Sequence, residues 1–428
     1  MMNGDTAFFD TMAEKNSATR SGSCIVCKGS RMLCGKSRCP LMIKFYSQHK
    51  TMKLIDAKDI EGCSPPAVFV GRFGYPKVEI GPLIPPMFGD TSLMDKPEFW
   101  IGKSIDEIVD FRFNLVRGKY RIDARNFKEG GRIVDNVQEL ALTERPLEVE
   151  ALFTQKPRGR VILDDEIQPF GPSAKMEKMT IGNPKFERNL ERSFYDTDMR
   201  AVEAVLSAYR NGTLISEIQK AFAVGTMGVE KNRRFVPTRW SITAVDDMIG
   251  KDLLKTTKHN NTIDEFRIYP WEQLDNRWCI LLMPCSWRYE LIEAWYPNTT
   301  WNQGGHGIEI ISDHEFYEGR TEYAQIGGCY YAARMAVNEL LMREKRQAGA
   351  VIFREAHSGY VMPVGVWNVR ENVRAALKTR PKKYESMEAA LQHVERVMEI
   401  PRKTWIANSG ILKDWFTQRR LDDFVQSP

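Results

Sequence analysis

A chain of 428 residues with 43% hydrophobic and 27% charged residues has the make-up of a folded globular protein and is too long for one small core. Its 61 basic and 56 acidic residues leave a net charge of only +5, so a polyanionic partner must be met by a local patch and not by the charge of the whole chain. No run approaches the length of an apolar membrane span, and the start lacks the basic opening and apolar stretch of an export signal, so the expected location is the cytoplasm.

Residues 1–22 are small and polar and are expected to form a flexible arm. The segment CIVCKGSRMLCGKSRCP follows, with Cys24, Cys27, Cys34 and Cys39 in a C-x2-C-x6-C-x4-C arrangement. Four thiolates complete a tetrahedral shell for Zn2+, and a closed shell leaves no position for substrate, so the expected zinc is structural. Reduced or redox-active cysteines are the alternative. Lys28, Arg31, Lys36, Arg38 and Lys44 surround the cluster, where they either offset thiolate charge or contact phosphates. Residues 23–45 are read as this zinc-binding knob.

From about 46 to 150, short apolar runs such as AVFV and KVEI alternate with prolines and predict strands and loops, and a second loop-rich zone spans about 154–188. Residues 196–222 predict one or two helices broken near Asn211 and Gly212. An aromatic-rich region over 263–318 precedes the clearest helical pattern, 321–347, in which Ile326, Tyr330, Ala333, Val337, Leu340 and Leu341 share a face. Strands are expected at 350–353 and 360–367, then helices at 386–399 and 404–416. The expected fold class is α+β, a mixed α/β core with the zinc knob at one end and a flexible peptide at the other. The expected division is an N-terminal core domain over 46–290, a C-terminal domain over 291–410 and a tail over 411–428.

Three constellations in the core are candidates for chemistry. In KNRRFVPTRWSITAVDD, Lys231, Arg233, Arg234 and Arg239 accompany Trp240 and lead to Asp246 and Asp247. Arginines clamp phosphates, a Trp stacks on a base and an acid holds a ribose or a metal; the bland alternative is a strand followed by a helix start with Thr243 or Asp246 as its cap. In GGHGIEIISDHEF, His306, Glu309, Asp313 and His314 form a metal site only if the run folds back, whereas IEII reads most simply as a buried strand. His357 in FREAHSGY, with Arg354, Glu355 and Tyr360, is either an acid–base cluster or an ordinary turn. No phosphate-loop lysine motif, G-x-S-x-G elbow or zinc-deaminase signature occurs in the chain.

The segment QRRLDDFV places Gln418, Leu421, Phe424 and Val425 in the Q-x-x-aliphatic-x-x-aromatic order of sliding-clamp ligands. One tight turn at spacing three lets Leu421 and Phe424 enter an apolar pocket together. Such ligands usually end in two aromatics, and Val425 stands at the second. The alternative is an ordinary helix end packed on the core.

Together with the strings GRFGYPKVEIGP, FVPTRWSITAVDD and FREAHSGYVMPVGVWNVRE, the cysteine knob and the terminal motif resemble the archaeal Nre DNA-repair family over nearly the whole chain. The resemblance implies repair of damaged DNA, a nucleoid-associated cytoplasmic location, interaction with the sliding clamp PCNA, a link to the UvrABC excision nuclease, and zinc held by the four cysteines. It brings no catalytic mechanism. An enzyme such as a nuclease or an ADP-ribose-handling enzyme, with its pocket around Arg239, Trp240 and Asp246, and a pure adaptor between clamp and excision nuclease are the rival expectations.

Overall fold

The computed structural model describes residues 26–27, 30–55, 57–159, 170–299, 301–302 and 306–417. Among these, twelve α-helices and two six-stranded sheets make an α+β fold, as the sequence led us to expect.

The first sheet is built from β1 (Asp59–Ser64), β2 (Val68–Val70), β3 (Lys77–Ile84), β4 (Val116–Asp123), β5 (Leu147–Phe153) and β6 (Ser173–Ile181), in the order β1-β5-β6-β4-β3-β2. The β4–β6 pair is parallel and its other pairs are antiparallel. In β5, Val149, Ala151 and Phe153 are buried while Glu148, Glu150 and Leu152 face water, so one face of this part of the sheet carries the core. That face is closed by α3 (Gly131–Ala141) through Val134, Val137 and Leu140. Helix α2 (Ile105–Asn114) opens with Ser104, whose hydroxyl accepts from the Glu107 amide while the Glu107 carboxylate accepts from the Ser104 amide. α1 (Pro40–Leu54) packs on α2.

The second sheet runs β10 (Glu309–Glu315), β9 (Arg288–Trp295), β11 (Gly349–Ala356), β8 (Asn276–Met283), β7 (Phe266–Gln273) and β12 (Lys382–Tyr384). Here alternate residues serve two cores. Trp278, Ile280, Leu282, Ala350 and Ile352 pack beneath α8 (Gly328–Glu344) and α9 (Trp367–Leu377). Their neighbours Cys279, Leu281, Met283, Val351 and Phe353 pack beneath α10 (Met387–Val397), α11 (Arg402–Asn408) and α12 (Gly410–Thr417). Burial on both faces explains why β8 and β11 read as continuous apolar runs. The expected boundary between 290 and 291 falls inside β9.

Between the sheets lie α4 (Arg188–Tyr195), α5 (Ala201–Arg210), α6 (Ile215–Ala223) and the twenty-residue α7 (Thr238–Thr257), which packs along α8. α5 and α6 flank Asn211 and Gly212, where the sequence predicts a break. Helix α7 differs from the expected strand and late cap: it begins at Thr238, directly after Pro237, which places Thr243 and Asp246 inside the helix. The expected strand over 360–367 is a buried connection leading into α9. Pro363 within it has no amide hydrogen to give a ladder. The expected helix over 404–416 is two, broken at Ser409, because the buried Glu290 carboxylate accepts from the Ser409 hydroxyl and from the amides of Gly410 at 2.9 Å and Ile411 at 3.1 Å.

Candidate nucleic-acid interface

The surface around Arg239 and Trp240 is assembled from three parts of the chain. The turn between β2 and β3 carries Arg72, Phe73 and Tyr75, and it is tied to the start of α7 where the Val70 amide donates to Thr238 Oγ1 at 2.9 Å. This brings the Tyr75 ring to 5.3 Å from Trp240, with the planes tilted by 56°. Gly74, at φ +78°, sits where an added Cβ would lie 3.1 Å from the Arg121 guanidinium, so the turn closes tightly over β4. The Arg125 guanidinium lies 5.9 Å from the Tyr75 ring centre. The Phe235 amide donates to the Ala124 carbonyl at 2.9 Å, which draws Arg234 alongside Arg125. On the far side, the Tyr323 ring lies 5.4 Å from Tyr331, and its hydroxyl stands near Thr243 and Arg239.

Arg121, Arg125, Arg234 and Arg239 are all exposed, and none of them makes an ion pair among the described residues. The aromatic rings beside them are also open to water: Phe73 is 75% exposed, Tyr323 52% and Trp240 42%. The nearby Asp123 is engaged locally, accepting from the Arg125 amide at 2.9 Å. Positive charge without internal partners, interleaved with bare aromatic rings, is the composition of a surface that tracks a phosphate backbone.

Other residues of the same sequence segment are structural. Arg233 is buried and donates to the carbonyls of Gly228, Phe194, Ser193 and Asp196, and burial lowers its pKa. Asp246 is buried, accepting from Gln219 Nε2 at 2.9 Å and Arg370 Nη2 at 2.7 Å. Burial pushes its carboxyl up while Arg370 pulls it down. Asp247 is held by Arg334 and by Lys251 at 2.7 Å. Arg334 also donates to Glu315 at 2.8 Å, which in turn accepts from Trp287 at 3.0 Å and Tyr330 at 2.9 Å.

Beneath Arg239, Cys329 in the first turn of α8 lies beside the buried pair of Arg354 and Glu293, joined at 2.7 Å. Burial and Glu293 push the Cys329 thiol up to about 12. The Arg354 guanidinium lies 4.8 Å from the Trp278 and Trp295 rings and 5.4 Å from Tyr360. The packing at Gly328 is close, since an added Cβ would come to 3.0 Å from both Thr243 Oγ1 and the Val366 side chain.

His357 belongs to the opposite face of the second sheet. Arg354 and Glu355 alternate in β11, and Glu355 points toward α10, accepting from the amides of Glu399 and Ile400. The His357 ring stacks 4.2 Å from Tyr296, with Nε2 at 3.4 Å from Glu355. His306 is exposed on a loop. Glu309, Asp313 and His314 lie along β10, where Asp313 pairs with Arg320 at 2.9 Å and His314 borders Gly410. These four residues form no metal cluster, because β10 runs straight as a strand and does not fold back. Arg239, Trp240, Asp247, His306 and His357, whose convergence would favour an enzyme, are therefore not brought together: His357 lies on the other face of the second sheet and His306 on an exposed loop.

Cys27 and Cys39 are buried and Cys34 is half-buried. Among the described residues, no three His, Cys, Asp or Glu side chains are gathered as metal ligands, and Cys24 lies outside those residues. The zinc expectation is carried by the spacing and by the chemistry of the donors. The knob is docked firmly: buried Lys36 donates to the Val361 carbonyl at 2.9 Å, and Arg38 makes a two-bond pair with Asp106 at 2.8 and 2.9 Å. Gln418, Leu421, Phe424 and Val425 lie outside the described residues.

The sequence singles out Arg239, Trp240 and Arg234, and the fold sets Phe73, Tyr75, Arg121, Arg125 and Tyr323 around them. The available signal was the RFGYP turn, which crowds an arginine and two aromatics around a glycine.

Residues 33–302 match the family model described as archaeal Nre, N-terminal, and residues 315–424 match archaeal Nre, C-terminal. The chain is 41% identical over 403 residues to the DNA repair protein NreB of Archaeoglobus fulgidus, covering 94% of this chain and 100% of that one. It is 36% identical over 385 residues to NreA of the same organism, covering 90% and 95%. To NreA of Haloferax volcanii it is 32% identical over 383 residues, covering 86% and 91%. Both NreA proteins are likewise named as DNA repair proteins. No solved structure matches the chain. With both family models and these near-full-length relatives in agreement, the chain belongs to the archaeal Nre family.

Proposed function

We propose that this protein is a DNA-repair factor that contacts DNA through the face formed by Arg121, Arg125, Arg234 and Arg239, and that residues 418–425 deliver it to DNA by docking on the sliding clamp PCNA. The observation that carries the reading is the set of four exposed arginines without ion pairs on one face. The names of the relatives support the repair role, and the order of Gln418, Leu421 and Phe424 supports the clamp. In this reading Cys24, Cys27, Cys34 and Cys39 hold a structural Zn2+ that stiffens the docked knob. The UvrABC excision nuclease is a candidate downstream partner through the family resemblance.

Binding is favoured over the nuclease or ADP-ribose alternative because the acids such an enzyme needs are engaged elsewhere. Asp246 is committed to Arg370 and Gln219, and Asp247 to Arg334 and Lys251. A carboxylate held in a buried pair is a poor metal ligand or base.

The test is equilibrium binding of the full chain to labelled DNA as a function of salt. Replacing Arg125 and Arg239 by alanine together should weaken binding and flatten the dependence of log K on log salt by about 0.7–0.9 for each phosphate contact removed. An Arg125→Ala/Arg239→Ala protein that binds like the parent, with the same slope, would remove this face from the proposal.

A further inference from the structure

A duplex satisfies arginines through its phosphates but keeps its bases stacked on one another. Phe73, Trp240 and Tyr323 would then stay bare beside it, leaving large aromatic surfaces in water with no partner. We propose that this face takes DNA whose bases are unpaired, as at a single-stranded gap or a splayed lesion, and that Trp240, Phe73 and Tyr323 are the stacking platforms. The inference rests on the DNA-contact reading of the same face and assigns the form of DNA it takes.

Three features carry it. The rings are interleaved with the cations and not segregated from them: Arg72 lies 5.0 Å from the centre of the Phe73 ring, Arg125 lies 5.9 Å from Tyr75, and Arg239 is adjacent to Trp240. Bases stacking on the rings would therefore have their phosphates within reach of guanidinium groups. Second, two of the three platforms are braced from behind. Trp240 rests on the half-buried Tyr75, and Tyr323 rests on the Tyr331 ring at 5.4 Å. A braced ring loses little conformational freedom when a base stacks on it. Third, the three rings belong to separate elements: the β2–β3 turn, the first turn of α7, and the approach to α8. No sequence-local reason accounts for their common exposure.

Ring stacking is open to every base, so recognition is expected to be indifferent to sequence and selective for strandedness. The probe is a fluorescein-labelled oligothymidylate of about twenty nucleotides, compared with a blunt duplex and an oligouridylate of the same length, each titrated with the full chain. The strand should bind more tightly than the duplex. Trp240→Ala and Phe73→Ala should each weaken strand binding about tenfold and duplex binding less than about twofold, while Trp240→Phe retains most of it. Arg125→Ala should weaken both. Circular dichroism and the thermal midpoint report whether each surface variant is folded.

Equal losses on strand and duplex, or tighter binding of the duplex, would overturn the assignment to unpaired bases while leaving DNA contact intact. Tighter binding of oligouridylate than of oligothymidylate would overturn the assignment to DNA. No binding of any oligonucleotide, with no effect of Arg125→Ala, would sink the DNA-contact reading itself.

Discussion

Asp246 in α7 and Arg370 in α9 meet at 2.7 Å with both side chains out of water, and Gln219 from α6 completes the carboxylate's bonding. The pair joins α7 to α9, and Gln219 ties α6 to the same carboxylate. Removing one partner of a buried pair leaves the other charge uncompensated, which costs about 3–5 kcal/mol. Asp246→Ala should therefore lower the unfolding free energy measured in urea by that amount while leaving DNA affinity of the folded protein unchanged. Replacing both Asp246 and Arg370 by methionine should cost less than the single change. A folded Asp246→Ala protein with parental stability but lost DNA binding would instead restore the acid to the functional site.

The two aspartates illustrate what a sequence carries and what it conceals. Paired carboxylates after an arginine–tryptophan run read as a reactive site, yet Asp246 continues the buried stripe of Val245 and Ile249 along α7, and a helical period there marks an acid that must be paired inside. Trp240 was legible because its arginine is adjacent in sequence. Tyr75, which supports it, was not, since the contact depends on the β2–β3 turn meeting the start of α7, a tertiary event joined through Val70 and Thr238. Strands β10 and β11, helix α8 and the break at Asn211 were readable from apolar runs and turn residues. The split at Ser409 was not, because its cause, Glu290, lies in another element.

The cysteine spacing leads to a metal measurement. Purified protein should carry one zinc per chain, released by Cys27→Ser or Cys39→Ser, and elemental analysis under reducing conditions decides it. Ile43 packs with Val109, Phe113, Val361 and Met362, and Lys36 holds the Val361 carbonyl. Loss of the metal should therefore raise proteolytic cleavage within 23–45 while both sheets keep their circular dichroism. A metal-free parent protein, or a Cys27→Ser protein with full zinc, would count against the site.

The clamp motif is testable apart from the core. A peptide of residues 414–428 should bind PCNA of the same organism in a calorimeter, and Leu421→Ala or Phe424→Ala should each weaken it at least about tenfold, the usual scale for buried anchors. Val425→Phe should strengthen it by supplying the second aromatic. A chain ending at 417 should retain DNA binding and lose the clamp. If the peptide fails to bind while another clamp ligand does, delivery must occur by other means.

The capping box of α2 gives a pH dependence of known sign. The amide of Ser104, then Lys103 at 2.9 Å and the Ser104 hydroxyl, hold the Glu107 carboxyl well below its ordinary value of 4.5, at about 2. A carboxyl depressed in the folded state stabilises the fold at pH values above its unfolded value and ceases to as the pH falls through its folded one. The contribution of Glu107 is thus full above about 4.5 and fades toward about 2. Because the group is exposed, added salt should shrink the effect through Lys103 and spare the part due to the Ser104 amide. Carboxyl chemical shifts followed by NMR should titrate near 2 for Glu107; Glu107→Gln should abolish this step, and Glu107→Ala, which also removes the acceptor for the Ser104 amide, should fray the first turn of α2. The turn bears directly on the docked knob, since Asp106 in it binds Arg38 through both carboxylate oxygens, at 2.8 and 2.9 Å. Acid fraying of α2 should therefore loosen residues 30–45 before either sheet unfolds. Simultaneous loss of the knob and the sheets in an acid titration would show that the capping box does not govern that docking.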